Sequence, residues 1–419
     1  MKAHMVPPIR ESTFKAMVAP WLAAVHKKDL LAVMSYPASD RQRRLLNLLN
    51  QPHTIASLLP NANKYIFISV DFRVDSVTTS EQLESLLMTR IKKELVVSWQ
   101  EESKDIVEFL KKIQKQSGKT IVFAAIGCEK LTHENNTNLL IWSTIQQRLG
   151  FLRQILFFEA NLLDSDHVRF FGNVPAFQPR IATMTLYEKE DVIQFIHYKE
   201  DEWKFSVSDT MKESIYAHCG GMLLLVKEAL WYLRDNPHAP LANVWNHMEM
   251  QFNLATLWNG FGEPEKRTLA AIANNLPVTD FSLSQSIHYL LVARVIQQKG
   301  NTFIISIPLL QQYILRTIPK IYTFTISDHS IVLNGTPIDA NFSKSERQVL
   351  MKLITENNVV VTRTDLANFV WPDNHGDYSD WALDSIISRI RKKLGQLGVP
   401  PRILSVEKKR GISLKTSCL

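Results

Sequence analysis

The segment that most constrains the fold is a basic amphipathic stretch near the carboxyl end, Ser379–Gly395 (SDWALDSIISRIRKKLG). Its apolar residues recur at helical spacing and form one stripe: Leu383, Ile387, Ile390 and Leu394. Residues at this spacing share a helix face, so the stripe predicts a helix that packs by one side. Polar and cationic residues lie largely off the stripe. Between Arg389 and Lys415 the chain carries nine Lys or Arg and one acid, a local charge of about +8 by difference.

Strands and capped helices are predicted around this helix. Phe324–Asp339 alternates polar and apolar residues about turn residues, as short antiparallel strands do. Ser343–Glu346 has capping-box spacing, and Thr362 can cap a second helix. After the basic helix, Ile403–Val406 and Gly411–Leu414 flank a cationic tip and predict a hairpin. Strands, three helices and a basic hairpin together make a winged helix.

Four ordered segments resemble the OmpR/PhoB-type output domain of bacterial response regulators: FSKSERQVLMKL, VVTRTDLANFVW, LDSIISRIRKKLG and ILSVEKKRGISL. The resemblance covers roughly a quarter of the chain. It implies binding to double-stranded DNA, with the basic helix in the major groove and the wing along the minor groove. It also implies a homodimer or head-to-tail oligomer on direct repeats. The alternative interpretation of such a basic helix face is that it is merely solvated.

The matching positions imply Arg389 as a base or phosphate contact and Arg363 as a phosphate contact. The residues predicted to contact DNA are Arg363, Ser385, Ser388, Arg389, Arg391, Lys392, Lys393, Lys408, Lys409 and Arg410. Two departures from the family pattern leave the target sequence open. Ile386 stands where a His is common, and the wing is one residue longer and lacks its first usual Gly.

Composition limits the class of protein. A length of 419 residues suggests about three domains, and a hydrophobic fraction of 45% allows large cores. A pI near 9.1 is compatible with an anionic partner. Cys128, Cys219 and Cys418 have no metal-ligand spacing and indicate a reducing compartment. No apolar run reaches the ~18 residues of a membrane span, and the amino terminus lacks a signal-peptide core. We therefore expect a soluble cytoplasmic protein without bound metal or membrane contact.

Five apolar runs alternate with helical patterns in the first 250 residues. Strands buried on both faces are predicted at Leu30–Met34, Tyr65–Val70, Ile121–Ile126, Gln154–Phe158 and Ile181–Leu186. Such alternation predicts a parallel α/β sheet with helices on both faces. A sheet of this kind binds ligands at the carboxyl ends of its strands.

This region resembles AAA+/STAND-type ATPases, in which the P-loop follows the first strand. In this chain the first strand is followed by the segment MSYPASDRQRRLLNLLN. A P-loop has two glycines, a lysine and a Ser or Thr at fixed positions. In this chain Tyr36 and Arg41 replace the two glycines, Gln42 replaces the lysine and Arg43 replaces the Ser or Thr. At the second site of these ATPases, Ile126 and Gly127 replace the Asp-Glu pair. A phosphate cradle needs glycines, a lysine and a hydroxyl, and hydrolysis needs a carboxylate. The sequence therefore predicts a degenerate site with no nucleotide cofactor, no catalytic residue and no enzymatic activity.

Two further features of this region have local explanations. Arg41, Arg43 and Arg44 either attract an anion at a helix start or form a solvated face, and solvation is the expected reading. His218–Leu233 resembles the Gly-Gly helix start of STAND ATPases and is expected to pack in a helical lid at about residues 188–250.

A second, smaller winged helix is predicted after the lid. Helical periodicity covers Glu265–Ala273 and Ser284–Gln298, followed by a turn and a strand-like Phe303–Ile307. Its second helix offers only His288 and Arg294 as cations, which favours a structural or dimerising role over DNA contact.

The fold class that results is a three-layer α/β P-loop-NTPase-like domain followed by two winged-helix domains. The predicted boundaries are 1–250 for the degenerate NTPase-like domain with its lid, 251–319 for the winged-helix connector and 320–419 for the OmpR/PhoB-type domain.

Three classes of function follow. The favoured one is a sequence-specific transcription regulator whose inactive NTPase-like domain senses a signal or drives assembly, without the acidic pocket of a phosphorylated receiver. The alternative is an interaction scaffold or adaptor in a signalling or defence assembly, which recruits a protein partner through the amino-terminal domain and uses DNA binding only for localisation. A domain that binds nucleotide without hydrolysing it is a third interpretation.

Overall fold

The computed structural model of the protein describes residues 8–75, 77–95, 105–132, 136–172, 179–276, 278, 283–317, 322–327, 330–356, 359–372, 379–407 and 410–414. The chain divides into two compact units, residues 1–268 with 280–313 and residues 269–279 with 314–419. The three-domain division stays a prediction. Within the described part of the chain, every helix is too short or too polar to cross a lipid bilayer.

A five-stranded parallel sheet forms the centre of the first unit. Its strands are β1 (Leu30–Met34), β2 (Tyr65–Asp71), β3 (Thr120–Ile126), β4 (Arg153–Phe158) and β5 (Arg180–Thr183). They lie in the order β2-β3-β4-β1-β5, and every neighbouring pair is parallel. The predicted parallel α/β sheet is confirmed.

Burial differs between the centre and the edge of this sheet. Val33, Ala124 and Leu156 of the three central strands have no exposed surface, since helices cover both faces. The prediction of a fully buried fifth strand was wrong. β5 ends at Thr183, and Ile181 is 46% exposed, because an edge strand has a neighbour on one side only.

Helices surround the sheet and continue beyond it. They are α1 (Glu11–Lys27), α2 (Arg41–Leu49), α3 (Pro52–Leu58), α4 (Ser80–Leu95), α5 (Ile106–Ser117), α6 (Asn136–Gln147), α7 (Ser165–Gly172), α8 (Lys189–Trp203), α9 (Asp209–Cys219), α10 (Leu223–Asp235), α11 (Leu241–Asn246) and α12 (Met248–Gly260). Trp21 of α1 meets Phe157 edge-on at 5.0 Å between ring centroids, and Trp142 of α6 stacks on Phe158 at 6.2 Å. Successive strand residues point to opposite faces, so α1 and α6 cover opposite sides of the sheet.

Two glycines between α9 and α10 allow a close approach of the backbone to other segments. Gly220 has φ 55°, and a Cβ there would lie 2.2 Å from the carbonyl oxygen of Ser306. A Cβ on Gly221 would lie 2.1 Å from the carbonyl oxygen of Tyr187. These glycines lie between α9 and α10, and Leu225 and Val226 of α10 are buried. The assignment of these helices to a lid stays a prediction.

The connector contains two helices, a hairpin and a third helix. Its elements are α13 (Glu263–Ala273), α14 (Ser284–Val292), β6 (Ile296–Lys299), β7 (Thr302–Ile305) and α15 (Pro308–Thr317). The expected helix to Gln298 was wrong, because Arg294 adopts a left-handed φ of 61° that a helix cannot continue through. The residues after it pair with β7 as an antiparallel hairpin, and the assignment of this segment as a second winged helix stays a prediction.

The carboxyl-terminal winged helix has every predicted element. They are β8 (Phe324–Ser327), β9 (Ser330–Leu333), β10 (Thr336–Pro337), α16 (Lys344–Thr355), α17 (Arg363–Val370), α18 (Asp380–Gln396), β11 (Leu404–Glu407) and β12 (Gly411–Leu414). The first three strands are antiparallel, and β11 and β12 form the wing. All three helices share one buried apolar core with the strands.

Side-chain caps set the starts of these helices. Ser343 and Glu346 form the predicted capping box on α16, and the Thr362 hydroxyl accepts from the Asp365 amide at the start of α17. Ser379 caps α18 in the same way. Because each cap satisfies helix N–H groups that have no partner within the helix, these short polar residues define where the helices begin.

Candidate nucleic-acid interface

α18 is held by one apolar side and exposes the other. Its buried side comprises residues at most 3% exposed: Leu383, Ile386, Ile387, Ile390 and Leu394. This confirms the predicted stripe and adds Ile386 to it. Four residues at helical spacing follow the opposite side and are called the outer stripe here: Trp381, Ser385, Ser388 and Lys392. Ser385 is half-buried, and the other three are exposed.

One buried carboxylate fixes two cations of α18. The Glu346 side chain of α16 is 2% exposed and lies 3.2 Å from Nε of Arg389 and 2.6 Å from Nζ of Lys393. Burial alone would raise the pKa of Glu346, but hydrogen bonds from Lys393 and the Ser343 backbone outweigh it and keep that pKa below its ordinary value. The carboxylate therefore stays charged and orients both cations along one flank of the outer stripe. Arg389 keeps 56% of its side chain exposed.

Arg391 connects α18 to the wing. Its Nε and Nη2 donate to the carbonyl oxygen of Leu404, the first residue of β11, at 3.1 and 2.7 Å. Two donors of the guanidinium are thus used inside the domain. The structure places this predicted contact residue as an anchor of the wing, and its contact with DNA stays a prediction.

Arg363 connects α17 to the amino-terminal end of α18. Its Nη2 lies 2.6 Å from Asp384 and its Nη1 lies 3.5 Å from Asp380. The hydrogen bond to Asp384 raises the pKa of Arg363 above its ordinary value. A phosphate contact by this arginine stays a prediction.

The remaining predicted residues vary in placement. Lys392 and Ser388 are exposed, and Lys392 forms no ion pair with any residue that the structure describes. Arg410 is exposed, and its backbone N–H donates to the carbonyl of Glu407 at 3.0 Å, closing the wing turn. Lys408 and Lys409 lie outside the described residues.

Sequence reasoning missed one residue of this surface. Trp381, at the start of α18, is 79% exposed and leads the outer stripe. A signal was present, because Trp381 falls off the predicted apolar stripe. Ile386 falls off it as well, however, and is buried, so burial in the folded domain was needed to tell them apart.

A second candidate site lies where β1 runs into α2, the place at which ATPases of this fold hold phosphates. Arg41, the first residue of α2, is 1% exposed. Its guanidinium pairs with Glu159, which follows β4, and with Glu129 at 3.1 Å, which lies just beyond β3. The backbone N–H of Ala38 also donates to Glu159. The Glu159 carboxylate therefore accepts hydrogen bonds from both Ala38 and Arg41 of this loop.

The expected solvated arginine face was wrong for two of its three members. Arg44 is fully buried, donates to the Tyr187 hydroxyl at 2.7 Å and pairs with Asp40 at 3.0 Å. Burial raises the pKa of Tyr187 to about 12, so its hydroxyl stays protonated. Of the three arginines, Arg43 alone is exposed. The physical reason is that these acidic and phenolic side chains, all but Asp40 from distant parts of the chain, pair with the guanidinium groups and permit their burial.

A cleft of about 500 Å³ opens beside Glu129 and Glu159. Its other charged side chains are Asp164, Asp166, His167, Arg169 and Glu265. Acids outnumber cations among the side chains that line this cleft, and Arg41 pairs with two of these acids, Glu129 and Glu159. Among the described residues, His, Cys, Asp and Glu side chains form no group of three or more that could hold a metal ion.

Solved structures resemble the first part of the chain in fold. A Walker-type ATPase of Pyrococcus abyssi superposes with a TM-score of 0.51 at 13% identity, over 74% of this chain and 99% of that one. The Aeropyrum pernix ORC2 protein superposes at 10% identity over 75% of this chain and 96% of that one, with a TM-score of 0.41. The first of these likenesses carries the assignment of fold.

Comparison of the carboxyl-terminal domain gives a family. The Klebsiella pneumoniae RstA DNA-binding domain, solved with the RstA box, covers 24% of this chain and 97% of its own length, at 21% identity and a TM-score of 0.19. No curated protein matches the chain. Residues 337–414 match the family described as "Transcriptional regulatory protein, C terminal". The protein thus joins an α/β unit with a P-loop-NTPase-like fold to an OmpR/PhoB-type winged-helix domain of that family.

Proposed function

We propose that this protein is a sequence-specific, DNA-binding transcription regulator whose NTPase-like unit is catalytically inactive and serves in sensing or assembly. The observation that carries the proposal is the outer stripe of α18, with Arg389 and Lys393 held beside it by Glu346 and with Arg391 anchoring the wing. Base readout requires a helix face of fixed geometry, and phosphate contacts set its register on the duplex. Head-to-tail binding to direct repeats is the arrangement that the family resemblance favours.

Selection of bound oligonucleotides from a random pool by the full chain tests this function. The expected result is one preferred sequence, protected in a footprint over one or two half-sites. Preferred binding should exceed nonspecific binding by a factor of about 10³ or more. Binding of all sequences with equal affinity would contradict a specific regulator.

Removing the charge of Lys392 is expected to weaken DNA binding uniformly across sequences. Lys392 is exposed on the outer stripe, so Lys392→Ala should lower the slope of log affinity against log salt by about 0.9, the effect of one lost phosphate contact. The slope is measured by fluorescence anisotropy at several salt concentrations. Lys352→Ala, on α16 and paired with Glu356, is the matched control and should leave the slope unchanged. An unchanged slope in Lys392→Ala would remove that residue from the interface.

The NTPase-like unit is proposed to bind no nucleotide and to hydrolyse none. The support is that Glu159 already accepts from Ala38 and Arg41, the donors that would otherwise meet phosphate oxygens. Calorimetric titration with ATP and with GTP, each with and without Mg²⁺, is expected to give no saturable heat. Saturable binding of the magnesium nucleotide would instead favour the third interpretation, a switch that binds without hydrolysis.

The scaffold interpretation is retained as a second candidate because of one surface. Met248 and Phe252 lie one turn apart on α12 and are 78% and 70% exposed. Apolar side chains so placed suit contact with a protein partner. Co-purification of a partner that survives nuclease treatment and is lost in Phe252→Ser, with no transcriptional change on deletion of the gene, would favour the scaffold over the regulator.

A further inference from the structure

Trp381 occupies an unusual place for a large apolar side chain. It is the second residue of α18 and is 79% exposed, on the side of the helix opposite the buried core residues. Its spacing to Ser385, Ser388 and Lys392 puts it at the leading end of the outer stripe. An indole this exposed gains little from folding of the domain, so packing does not account for it.

The charges around Trp381 differ from those farther along the helix. Asp380 and Asp384 flank it, 75% and 53% exposed, and Arg363 is the cation that pairs with both. The cations of α18 lie in its carboxyl-terminal half: Arg389, Arg391, Lys392 and Lys393. Carboxylates repel phosphates, so the duplex backbone fits the second half of the helix better than the part that carries Asp380 and Asp384.

The amino-terminal end of a recognition helix is also the part that approaches base edges in the major groove. Among the groups exposed on that groove floor, the C5-methyl of thymine is the apolar one. An indole has a wide apolar surface and a single donor, so it complements a methyl group better than it complements the polar edges of the other bases.

We infer that Trp381 packs its indole against the C5-methyl group of a thymine in the major groove and thereby determines specificity at that base pair. The inference rests on the proposed DNA-binding function and adds to it a residue that reads the sequence through apolar contact. Lys392 and its cationic neighbours then position the helix on the phosphates without selecting this base.

Replacement of single thymines by deoxyuridine tests the inference, because it removes the methyl group and nothing else. Full-length protein is titrated with its preferred site and with variants that carry deoxyuridine at one thymine position each. We expect one position at which the wild type loses affinity by about four-fold, the effect of one methyl group left unburied. Trp381→Ala should bind thymine and deoxyuridine equally at that position, and Trp381→Phe should keep part of the preference.

Lys392→Ala is the matched control on the same stripe. It should bind more weakly and with a lower salt dependence, yet keep the full preference for thymine. Trp381→Ala should keep the wild-type salt dependence and, because the side chain is exposed, the wild-type melting temperature. A thymine preference undiminished in Trp381→Ala, or no thymine-sensitive position in the wild type, would overturn the inference while leaving the regulator intact. Failure of the wild type to select any sequence would overturn the proposed function itself.

Discussion

Replacing Arg41 with alanine is expected to destabilise the first unit by about 3–5 kcal/mol, the usual effect of breaking a buried ion pair. Arg41 is 1% exposed, and its guanidinium lies between Glu129 and Glu159. The substitution removes the guanidinium that lies between two carboxylates, together with a large, fully buried side chain. Urea unfolding of the full chain, followed by hydrogen exchange in β1, β3 and β4, measures the loss.

Arg43→Ala is the matched control for that measurement. Arg43 lies two residues farther along the same helix and is exposed, so its loss should change the free energy of unfolding by no more than about 0.5 kcal/mol. Arg41→Met should recover part of the stability by refilling the volume without charge. Equal effects of Arg41→Ala and Arg43→Ala would contradict the buried ion pair and restore the interpretation of a solvated face.

Gly411→Ala is expected to destabilise the wing by roughly 2–4 kcal/mol, from backbone strain together with lost hydrogen bonds. Gly411 opens β12 with φ 147°, and a Cβ there would lie 2.1 Å from the carbonyl oxygen of Val361. The next residue, Ile412, exchanges two backbone hydrogen bonds with Val361, at 2.8 and 2.9 Å. A side chain at Gly411 would force these strands apart, which calorimetry of the full chain should show as a lower melting temperature for this domain.

Gly398→Ala separates the steric effect from the conformational one. Gly398 also has positive φ, 80°, but no atom lies within 4 Å of the added Cβ. Its substitution should therefore lower the free energy of unfolding by only about 1–2 kcal/mol, the strain of an alanine in the left-handed backbone conformation. A loss at Gly411 no larger than that at Gly398 would contradict the close approach of the wing to Val361.

Predictions that rest on local spacing succeeded in both units. The apolar stripe of α18, the capping box at Ser343 and the five strands of the sheet are all present. The helix predicted from periodicity over Ser284–Gln298 was too long. α14 ends before Arg294, which has a left-handed backbone, and β6 begins shortly after it. Periodicity over so few residues does not distinguish the end of a helix from the start of a strand.

The sequence by itself determined the five strands of the parallel sheet, the three helices and the wing of the carboxyl-terminal domain, and the caps at Ser343 and Thr362. These depend on side chains within about four positions of one another, whose interactions the chain order already defines. Only the tertiary structure decided that Glu159 meets Arg41 across 118 positions, that Glu346 meets Lys393 across 47, and that Trp381 stands exposed. Ion pairs and exposure depend on which loops the packed core brings together, and distance along the chain carries no such information.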